Sequence, residues 1–331
     1  MLLSKILKAR RKAEFLGTVS INFRPIDGSY GGMNVFVQQI SRWLEDRGYQ
    51  VIYELRPEVD VIFVVHPWLT HIDPYSFEDV NAFKDANPAV KILLRINECD
   101  KRKNTHHMDQ WLSQWESIAS HTYFISTWLR DYHADLWFDK RRPHSSIYNG
   151  ADPRIFHPIG SANYDGHTPL RIVTHHWSDN PMKGYADYEK LDAMIANGAI
   201  SDVEFLVIGR WPTEIKWQAT LAHGVAHGVE LANLLRGCHV YLTGSNWEPC
   251  GMHHVEGIQC GLPVIYHHQG GGIVEHAQHY GIEYADDLFS AIEYMRSNYF
   301  DYRTKTLTTP PISGDDMCLR AIDIVQRLCV D

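Results

Sequence analysis

Short apolar runs of strand length recur along the chain and alternate with amphipathic stretches of helical length. In the first half these runs are TVSINF (18–23), QVIYEL (50–55), VDVIFVVHP (59–67), VKILLRIN (90–97) and HTYFIS (121–126). In the second half they are LRIVTHH (170–176), DVEFLVIG (202–209), CHVYLTG (238–244) and PVIYH (263–267). Strands that are apolar throughout and separated by helices are typical of a parallel sheet covered on both faces. The sequence therefore predicts an α/β protein.

Helical patterns occupy the intervals between these runs. The first is MNVFVQQISRWLEDRG (33–48), whose apolar residues at helical spacing are Val35, Phe36, Ile40, Trp43 and Leu44. Further helices are predicted from Tyr185, from about Gly251, near 286–298 and near 315–329.

The composition changes to Gly, Asn, Pro and Asp within 145–170, which predicts a linker there. Two successive βα series joined by a linker predict two doubly wound, Rossmann-like parallel-sheet domains that face a cleft. We assign the N-terminal domain to 1–155, the C-terminal domain to 156–310 and a last helical segment to 311–331. Ligands of such sheets bind beyond the carboxyl ends of the strands, so the loops there carry the chemistry.

Composition and charge exclude several classes of protein. With 44% hydrophobic and 21% charged residues among 331, the chain is an ordinary globular protein rather than a disordered one. A net charge of -9 argues against a general nucleic-acid binder, which is normally basic. The six cysteines form no CxxC pair, so neither a disulfide framework nor a zinc knuckle is expected. We therefore expect a reduced, cytoplasmic protein.

The first 15 residues are the basic exception in this acidic chain. MLLSKILKARRKAEF has five Lys or Arg residues against one acid, with leucines and isoleucine between them. This segment is too short and too charged to span a bilayer. It is either a helix on an anionic membrane surface, at the inner face of the membrane, or a solvated leader packed on the domain through its leucines.

Two loops after predicted strands are candidate anion sites. In PIDGSYGGMNVF (25–36), Gly31 and Gly32 allow close approach of a ligand to the backbone, and the amides at the following helix start suit phosphate. In the second half, Lys183 precedes a glycine and a helix start. Gly-Gly turns and surface lysines also occur commonly where no ligand binds. The first loop lacks GxGxxG, and no acid follows the second strand at the ribose-binding spacing, so a dinucleotide fold is poorly supported.

Glu248 and Glu256 flank the start of another predicted helix. Glu248 lies in the loop and Glu256 on the second helical turn, roughly 10 Å apart by helical rise and loop length. That separation is wide for a hydrolytic carboxylate pair and suits the two ends of an extended ligand. The amides of Cys250, Gly251 and Met252 offer an anion site between them.

Paired histidines beside these glutamates do not predict a metal site. His253 and His254 lack the i, i+4 spacing that puts two ligands on one helix face, and the pairs 106/107, 175/176 and 267/268 share that defect.

Four segments together resemble the retaining GT-B glycosyltransferases, most closely the family-4 and glycogen/starch-synthase group. EPCGMHHVE (248–256), with CGLPVI (260–265) and GGGIVE (270–275) after it, is similar to the E-x7-E motif of that group. The other segments are GGMNVFVQQISRWLEDRGYQV (31–51), IYNGADPRIFHP (147–158) and KGYADY (183–188). The resemblance covers roughly residues 18–300. It implies the GT-B fold, with the last helix returning to the first domain.

The resemblance also implies roles for these residues. Glu256 would hold the ribose of a nucleotide-diphosphate sugar, Glu248 the donor sugar, and Lys183 the diphosphate. The amides of Gly31, Gly32 and residues 250–252 would bind phosphate oxygens. The acceptor would be a glycan, lipid or other hydroxyl, attacked from the front face, with no metal and no further cofactor, because fixed donors can stabilise the leaving diphosphate.

The chain departs from the group at two positions. Trp177 stands where many relatives have an arginine, and Arg210 is the nearest candidate to replace it. Asn97 stands where relatives often have a histidine, and it is a candidate catalytic residue with Glu248 and Lys183, because an amide can hydrogen-bond a sugar although it cannot act as a general base. The neighbouring candidates for acceptor or sugar contacts are His66, Arg95, Glu98 and Asp100. The competing hypotheses are a non-transferring relative, such as a nucleotide-sugar epimerase, and an inactive nucleotide-sugar-binding module.

Overall fold

The computed structural model describes residues 15–26, 31–67 and 74–330. It contains two six-stranded sheets whose neighbouring strands all pair in parallel. The order is β2-β1-β3-β4-β5-β6 in the first sheet and β12-β11-β10-β7-β8-β9 in the second. Helices connect the strands, so the predicted α/β architecture of two doubly wound domains is confirmed.

The first sheet is built from the N-terminal half of the chain. Its strands are β1 (Gly17–Ile21), β2 (Tyr49–Ile52), β3 (Val61–Val64), β4 (Lys91–Ile96), β5 (His121–Phe124) and β6 (His144–Ser146). Its helices are α1 (Gly31–Asp46), α2 (Phe77–Ala86), α3 (Asp100–Lys103), α4 (Met108–Ile118) and α5 (Thr127–Ala134).

The second sheet follows a connection without regular structure. Its strands are β7 (Leu170–His176), β8 (Val203–Gly209), β9 (Leu221–His223), β10 (Val240–Thr243), β11 (Val264–His267) and β12 (Gly281–Tyr284). Its helices are α6 (Tyr185–Ala196), α7 (Gly228–Arg236), α8 (Met252–Gln259), α9 (Gly272–Ala277), α10 (Leu288–Ser297) and α11 (Tyr299–Thr308), and α12 (Gly314–Val330) ends the chain.

The predicted strands exist, but three short ones were missed. The strands β6, β9 and β12 lie outside the central four of each sheet, and β6 and β9 are half-buried or exposed, so they lack a continuous apolar run. As a correction, residues 145 and 146 of the predicted linker belong to the edge strand β6. Several predicted strands also end early, such as β1 at Ile21, β3 at Val64 and β5 at Phe124.

The two sheets have separate cores. One buried cluster surrounds the first sheet, and two clusters cover the two faces of the second. In α1 the buried apolar face is Phe36, Val37, Ile40 and Leu44. Val35, which the spacing placed on that face, is exposed and borders the cleft instead. The expected periodicity was therefore shifted by one residue at the start of the helix.

The last helix packs on the first sheet. Met317, Cys318, Ala321, Ile322 and Val325 of α12 belong to the first core. The chain crosses back where the Gly314 amide donates to the Ala151 carbonyl at 2.7 Å. Because α12 follows the second sheet in sequence, it ties the two halves together.

None of the helices in the described ranges is long and apolar enough to cross a membrane. The predicted membrane contact depends on the basic residues of the leader, and residues 1–14 lie outside the described part of the chain.

Candidate functional site

A cavity of about 810 Å³ lies between the two sheets. In the second sheet the strand order reverses between the neighbours β7 and β10, and the loops that leave this point line the cavity. A crevice at such a reversal is where open α/β sheets bind ligands. The opposite wall comes from the loops after β1, β3 and β4 of the first sheet.

Glu248 is the centre of a buried ionic cluster in this cavity. Its Oε2 accepts hydrogen bonds from Lys183 Nζ at 2.8 Å and from Arg102 NH2 at 2.7 Å. The two basic partners come from different domains, since Arg102 lies on α3 and Lys183 precedes α6. Glu248 and Arg102 are each less than 9% exposed, so water screens the ion pairs weakly.

A close approach of two loops brings Lys183 to Glu248. Gly184 has φ 87°, and a Cβ built on it would lie 2.3 Å from the Gly244 carbonyl carbon. Only glycine fits there, because any side chain would overlap that backbone. The loop after β7 can therefore touch the loop after β10, which places the Lys183 ammonium beside the carboxylate of Glu248.

The charges of the cluster shift the pKa of both members. Burial alone would raise the pKa of Glu248, but Arg102 and Lys183 outweigh burial and lower it to about 2. Burial lowers the pKa of Lys183, and Glu248 partly opposes that shift. The carboxylate is ionised at neutral pH, and a second anion that reached Lys183 would stabilise its ammonium form.

Two helix N-termini lie close together at the cavity. Gly31 and Gly32 are the first residues of α1, and Gly251 caps α8. A Cβ built on Gly32 would lie 3.4 Å from Met252 Cγ, so the two helix starts are close together. The first amides of a helix have no partner within it and carry a partial positive charge. Together with Cys250, these residues line the cavity and form a wall suited to an anion.

Glu256 lies on the second turn of α8 and is oriented by a histidine. Its Oε2 is 2.8 Å from His175 Nε2, and His175 Nδ1 is 3.1 Å from the Tyr241 hydroxyl. Glu256 and His175 both line the cavity. This chain of hydrogen bonds holds the carboxylate in place, where it can accept hydrogen bonds from ligand hydroxyls.

The end of β4 and the segment after it bring three of the four candidates there to the cavity. Arg95, Asn97 and Glu98 line it, whereas the Asp100 carboxylate turns away and accepts the amides of Met108 and His107 at 2.9 and 3.0 Å. Among the described residues the buried Oδ1 of Asn97 has no hydrogen-bond partner. Burial raises the pKa of Glu98, and Lys103, 3.1 Å away, only partly opposes this.

Arg95 is a buried cation that is linked to the second domain through Asn149. Its guanidinium donates to Asn149 Oδ1 at 3.0 Å and lies 4.2 Å from the centre of the Phe36 ring. Asn149 in turn donates to the Cys250 carbonyl at 2.6 Å. Arg95 is therefore connected to the start of α8.

The remaining two candidates differ in position. His66 is buried and lines the cavity, with its backbone held by the side chain of Asn22. Arg210 is exposed and does not line the cavity. Its guanidinium lies 4.3 Å from the centre of the Trp177 ring, and Trp177 does line the cavity. The stacked pair occupies the place where an arginine was expected, and it leaves the basic group outside.

The two histidines of α8 are buried and hydrogen-bonded to protein groups. His253 Nε2 is 3.1 Å from the Thr243 hydroxyl, and His254 Nε2 is 3.2 Å from His276 Nδ1. Burial lowers the pKa of His253 and of His254 well below the ordinary value, so both rings are neutral. No group of three or more His, Cys, Asp or Glu within the described ranges could hold a metal ion.

Sequence reasoning missed Arg102 and His175. DKRK (100–103) is a short run of charges that normally lies in solvent, and His175 is one of a common pair. Arg102 is 146 residues from Glu248, and His175 is 81 residues from Glu256. Only the position of each residue just after or at the end of a central strand could have indicated these contacts.

Comparisons with known proteins show what this chain is similar to. Residues 181–287, which contain Lys183, Glu248 and Glu256, match the family described as "Glycosyl transferases group 1". No curated protein matches this chain in sequence.

Solved structures match over nearly the whole chain. One is HepE from Anabaena in complex with UDP and glucose, at 12% identity and TM-score 0.66, covering 94% of this chain and 99% of that chain. Another is sucrose-phosphate synthase from Thermosynechococcus elongatus, at 16% identity and TM-score 0.67, covering 95% and 98%. A third is WaaG, a glycosyltransferase involved in lipopolysaccharide biosynthesis, at 10% identity and TM-score 0.64, covering 93% and 99%. The chain thus has the GT-B fold, and its residues 181–287 are similar to the group 1 glycosyl transferases.

Proposed function

We propose that this protein is a retaining glycosyltransferase that moves a sugar from a nucleotide-diphosphate donor to a hydroxyl acceptor without a metal ion. The observation that carries the proposal is the meeting of Lys183, Glu248 and two helix N-termini in one cavity. Fixed positive groups of this kind bind a diphosphate, and a buried carboxylate can accept hydrogen bonds from the hydroxyls of a sugar. HepE, with the same fold, was solved in complex with UDP-glucose.

In this proposal the donor lies along the second domain. Glu256, held by His175, accepts hydrogen bonds from the ribose hydroxyls, and Glu248 accepts hydrogen bonds from hydroxyls of the donor sugar. Lys183 and the amides at Gly31, Gly32 and 250–252 bind the diphosphate. The volume of the cavity, about 810 Å³, falls within the range of ordinary ligand sites.

The proposed reaction occurs on one face of the sugar. The acceptor oxygen forms a bond to the anomeric carbon as the bond from that carbon to the phosphate oxygen breaks. The acceptor proton passes to the leaving phosphate, so no protein nucleophile is needed. Lys183 and the helix amides stabilise the charge that develops on the diphosphate. Asn97 hydrogen-bonds the sugar or acceptor, and His66, Arg95 and Glu98 border the acceptor side.

A second candidate is a protein that binds a nucleotide sugar without transferring it. The observation that favours it is the position of Arg210, which stacks on Trp177 outside the cavity, so the diphosphate would have one cation fewer than the resemblance implies. Release of free sugar from the donor distinguishes the two candidates, since a binding module leaves the donor intact.

The proposal is tested by incubating the protein with a panel of nucleotide sugars in EDTA and following donor hydrolysis by NMR. We expect one donor to be hydrolysed slowly, with release of a sugar that keeps its anomeric configuration. Binding without hydrolysis would favour the second candidate, an inverted product would contradict retention, and full loss of activity in EDTA would contradict a metal-free site.

The acceptor and the place of action are further proposals. We propose a glycan or lipid-linked acceptor in the cytoplasm, with residues 1–15 resting on an anionic membrane. Sedimentation with anionic lipid vesicles, before and after removal of these residues, tests the contact. Equal sedimentation of both forms would contradict it.

A further inference from the structure

Two cationic side chains contact the carboxylate of Glu248, although one positive charge would balance it. Its Oε2 accepts from both Arg102 and Lys183, at 2.7 and 2.8 Å. The two partners are not equivalent, because Lys183 lines the cavity beside Glu248 whereas Arg102 does not. Arg102 thus holds the carboxylate from outside the cavity, and Lys183 holds it from within.

Two sets of contacts hold the segment that carries Arg102 in place. The Asp100 carboxylate accepts the amides of His107 and Met108, which locks the turn between α3 and α4. On the other side, Lys101 Nζ lies 4.7 Å from the centre of the Trp247 ring in the second domain. Arg102 itself is 5% exposed, so its guanidinium has little freedom to leave Glu248.

We propose that Arg102 is a positioning residue that serves as the lasting counter-ion of Glu248 across the cleft, so that Lys183 is released to bind the diphosphate of the donor. This inference rests on the proposed function. A buried carboxylate without a cation is strongly disfavoured. With Arg102 in place, Lys183 can turn to a phosphate without leaving Glu248 unpaired. Without Arg102, Glu248 retains Lys183, and the diphosphate loses its cation.

The test is a double-variant cycle read by calorimetric titration. Among UDP, ADP, GDP, CDP and dTDP, the nucleotide that binds the wild-type protein most tightly serves as the probe. We expect Arg102→Met to weaken its binding roughly tenfold. Combining Arg102→Met with Glu248→Gln should restore affinity to within about threefold of Glu248→Gln alone, since a neutral amide no longer retains Lys183.

Control variants separate this role from others. Arg141→Met removes an exposed positive charge from the same domain without touching Glu248 and should leave nucleotide binding unchanged. Arg102→Lys, which keeps a cation, should bind the nucleotide more tightly than Arg102→Met. Thermal unfolding of each variant identifies any general loss of the fold.

Two results would overturn the inference. The first is unchanged nucleotide binding in Arg102→Met. The second is a double variant that binds at least roughly tenfold more weakly than Glu248→Gln alone, which would mean that Arg102 contacts the ligand or only supports the fold. Failure of the proposed function would differ from both, because then the wild-type protein itself would bind none of the five nucleotides.

Discussion

At the scale of single residues, the chemistry of the site depends on how each carboxylate is paired. Glu248 has two cationic partners and Glu256 has a histidine. The two cations keep Glu248 ionised, and the histidine fixes the orientation of the Glu256 carboxylate. Substitutions that keep shape while removing charge should therefore affect the two residues differently.

Glu248 should make stability depend on pH in a defined window. Its pKa in the folded protein is about 2, below the ordinary value of 4.5. The carboxylate therefore stabilises the fold above about pH 4.5, and this contribution is lost as the pH falls toward 2. The free energy of unfolding in urea should differ between wild type and Glu248→Gln at pH 6, and the difference should shrink by pH 3. The exposed Glu283→Gln is the control, and a difference independent of pH would contradict the pairing.

His175 should act on nucleotide binding through Glu256. Replacing His175 with Ala removes a hydrogen bond of 2.8 Å to the carboxylate. A hydrogen bond to a charged group contributes about 1.5–3 kcal/mol, so the affinity for a nucleoside diphosphate should fall roughly tenfold or more. Glu256→Gln should weaken binding as well, and the double variant should lose less than the sum of the two effects. Additive losses in titration would show that His175 acts independently.

At the scale of elements, a hydrogen-bonded contact joins the two domains: a carboxylate of the second domain binds the N-terminal amides of a helix in the first. Glu275 on α9 accepts the amides of Thr127 and Trp128 at 2.8 and 3.2 Å, which are the first amides of α5. A carboxylate at this position satisfies amides that have no partner inside the helix. The contact therefore caps α5 from the opposite domain.

Removal of this cap should destabilise the protein. Glu275→Gln keeps the shape but loses the charge that favours a helix N-terminus, at a cost of about 1 kcal/mol. Urea unfolding should report this loss. Glu283→Gln, an exposed acid on β12, should have almost no effect. Equal stability of the two variants would contradict a capping role for Glu275.

The elements also show what the sequence could and could not predict. The central strands and α8 were predictable, because β7 and β10 are apolar runs and Gly251 precedes an amphipathic stretch. Edge strand β6 was not, since a strand paired on one side and half-buried needs no apolar run. The partners Arg102 and Glu275 were not predictable either, because contacts across a cleft depend on how two domains meet rather than on local pattern.

At the scale of the whole molecule, the last helix completes the first domain. The 17 residues of α12 supply six buried apolar side chains to the first core, although they follow the second sheet in the chain. The GT-B fold thus has chain crossings at two places, near Ala151 and near Gly314, which hydrogen-bond to each other. The two domains cannot be separated by one cut.

A chain that ends at Ser313 should therefore lose the fold of its first domain. Truncation removes the buried side chains of Ile322 and Val325 and exposes the apolar surface of the first domain against which they pack. A buried Met, Ile or Val side chain contributes about 1.5–3 kcal/mol, and those of α12 together are comparable to the margin of an ordinary domain. Calorimetry should show a lower or absent unfolding transition. Unfolding at the wild-type temperature would contradict this view of α12.

The central claim is that the cavity binds a nucleoside diphosphate through Lys183 without a metal. The most direct test is titration of wild type, Lys183→Met and the exposed control Lys190→Met with nucleoside diphosphates in EDTA. We predict one-to-one binding to wild type and to Lys190→Met, and affinity at least roughly tenfold lower for Lys183→Met. Absence of binding to wild type, or equal affinity in all three proteins, would contradict the account.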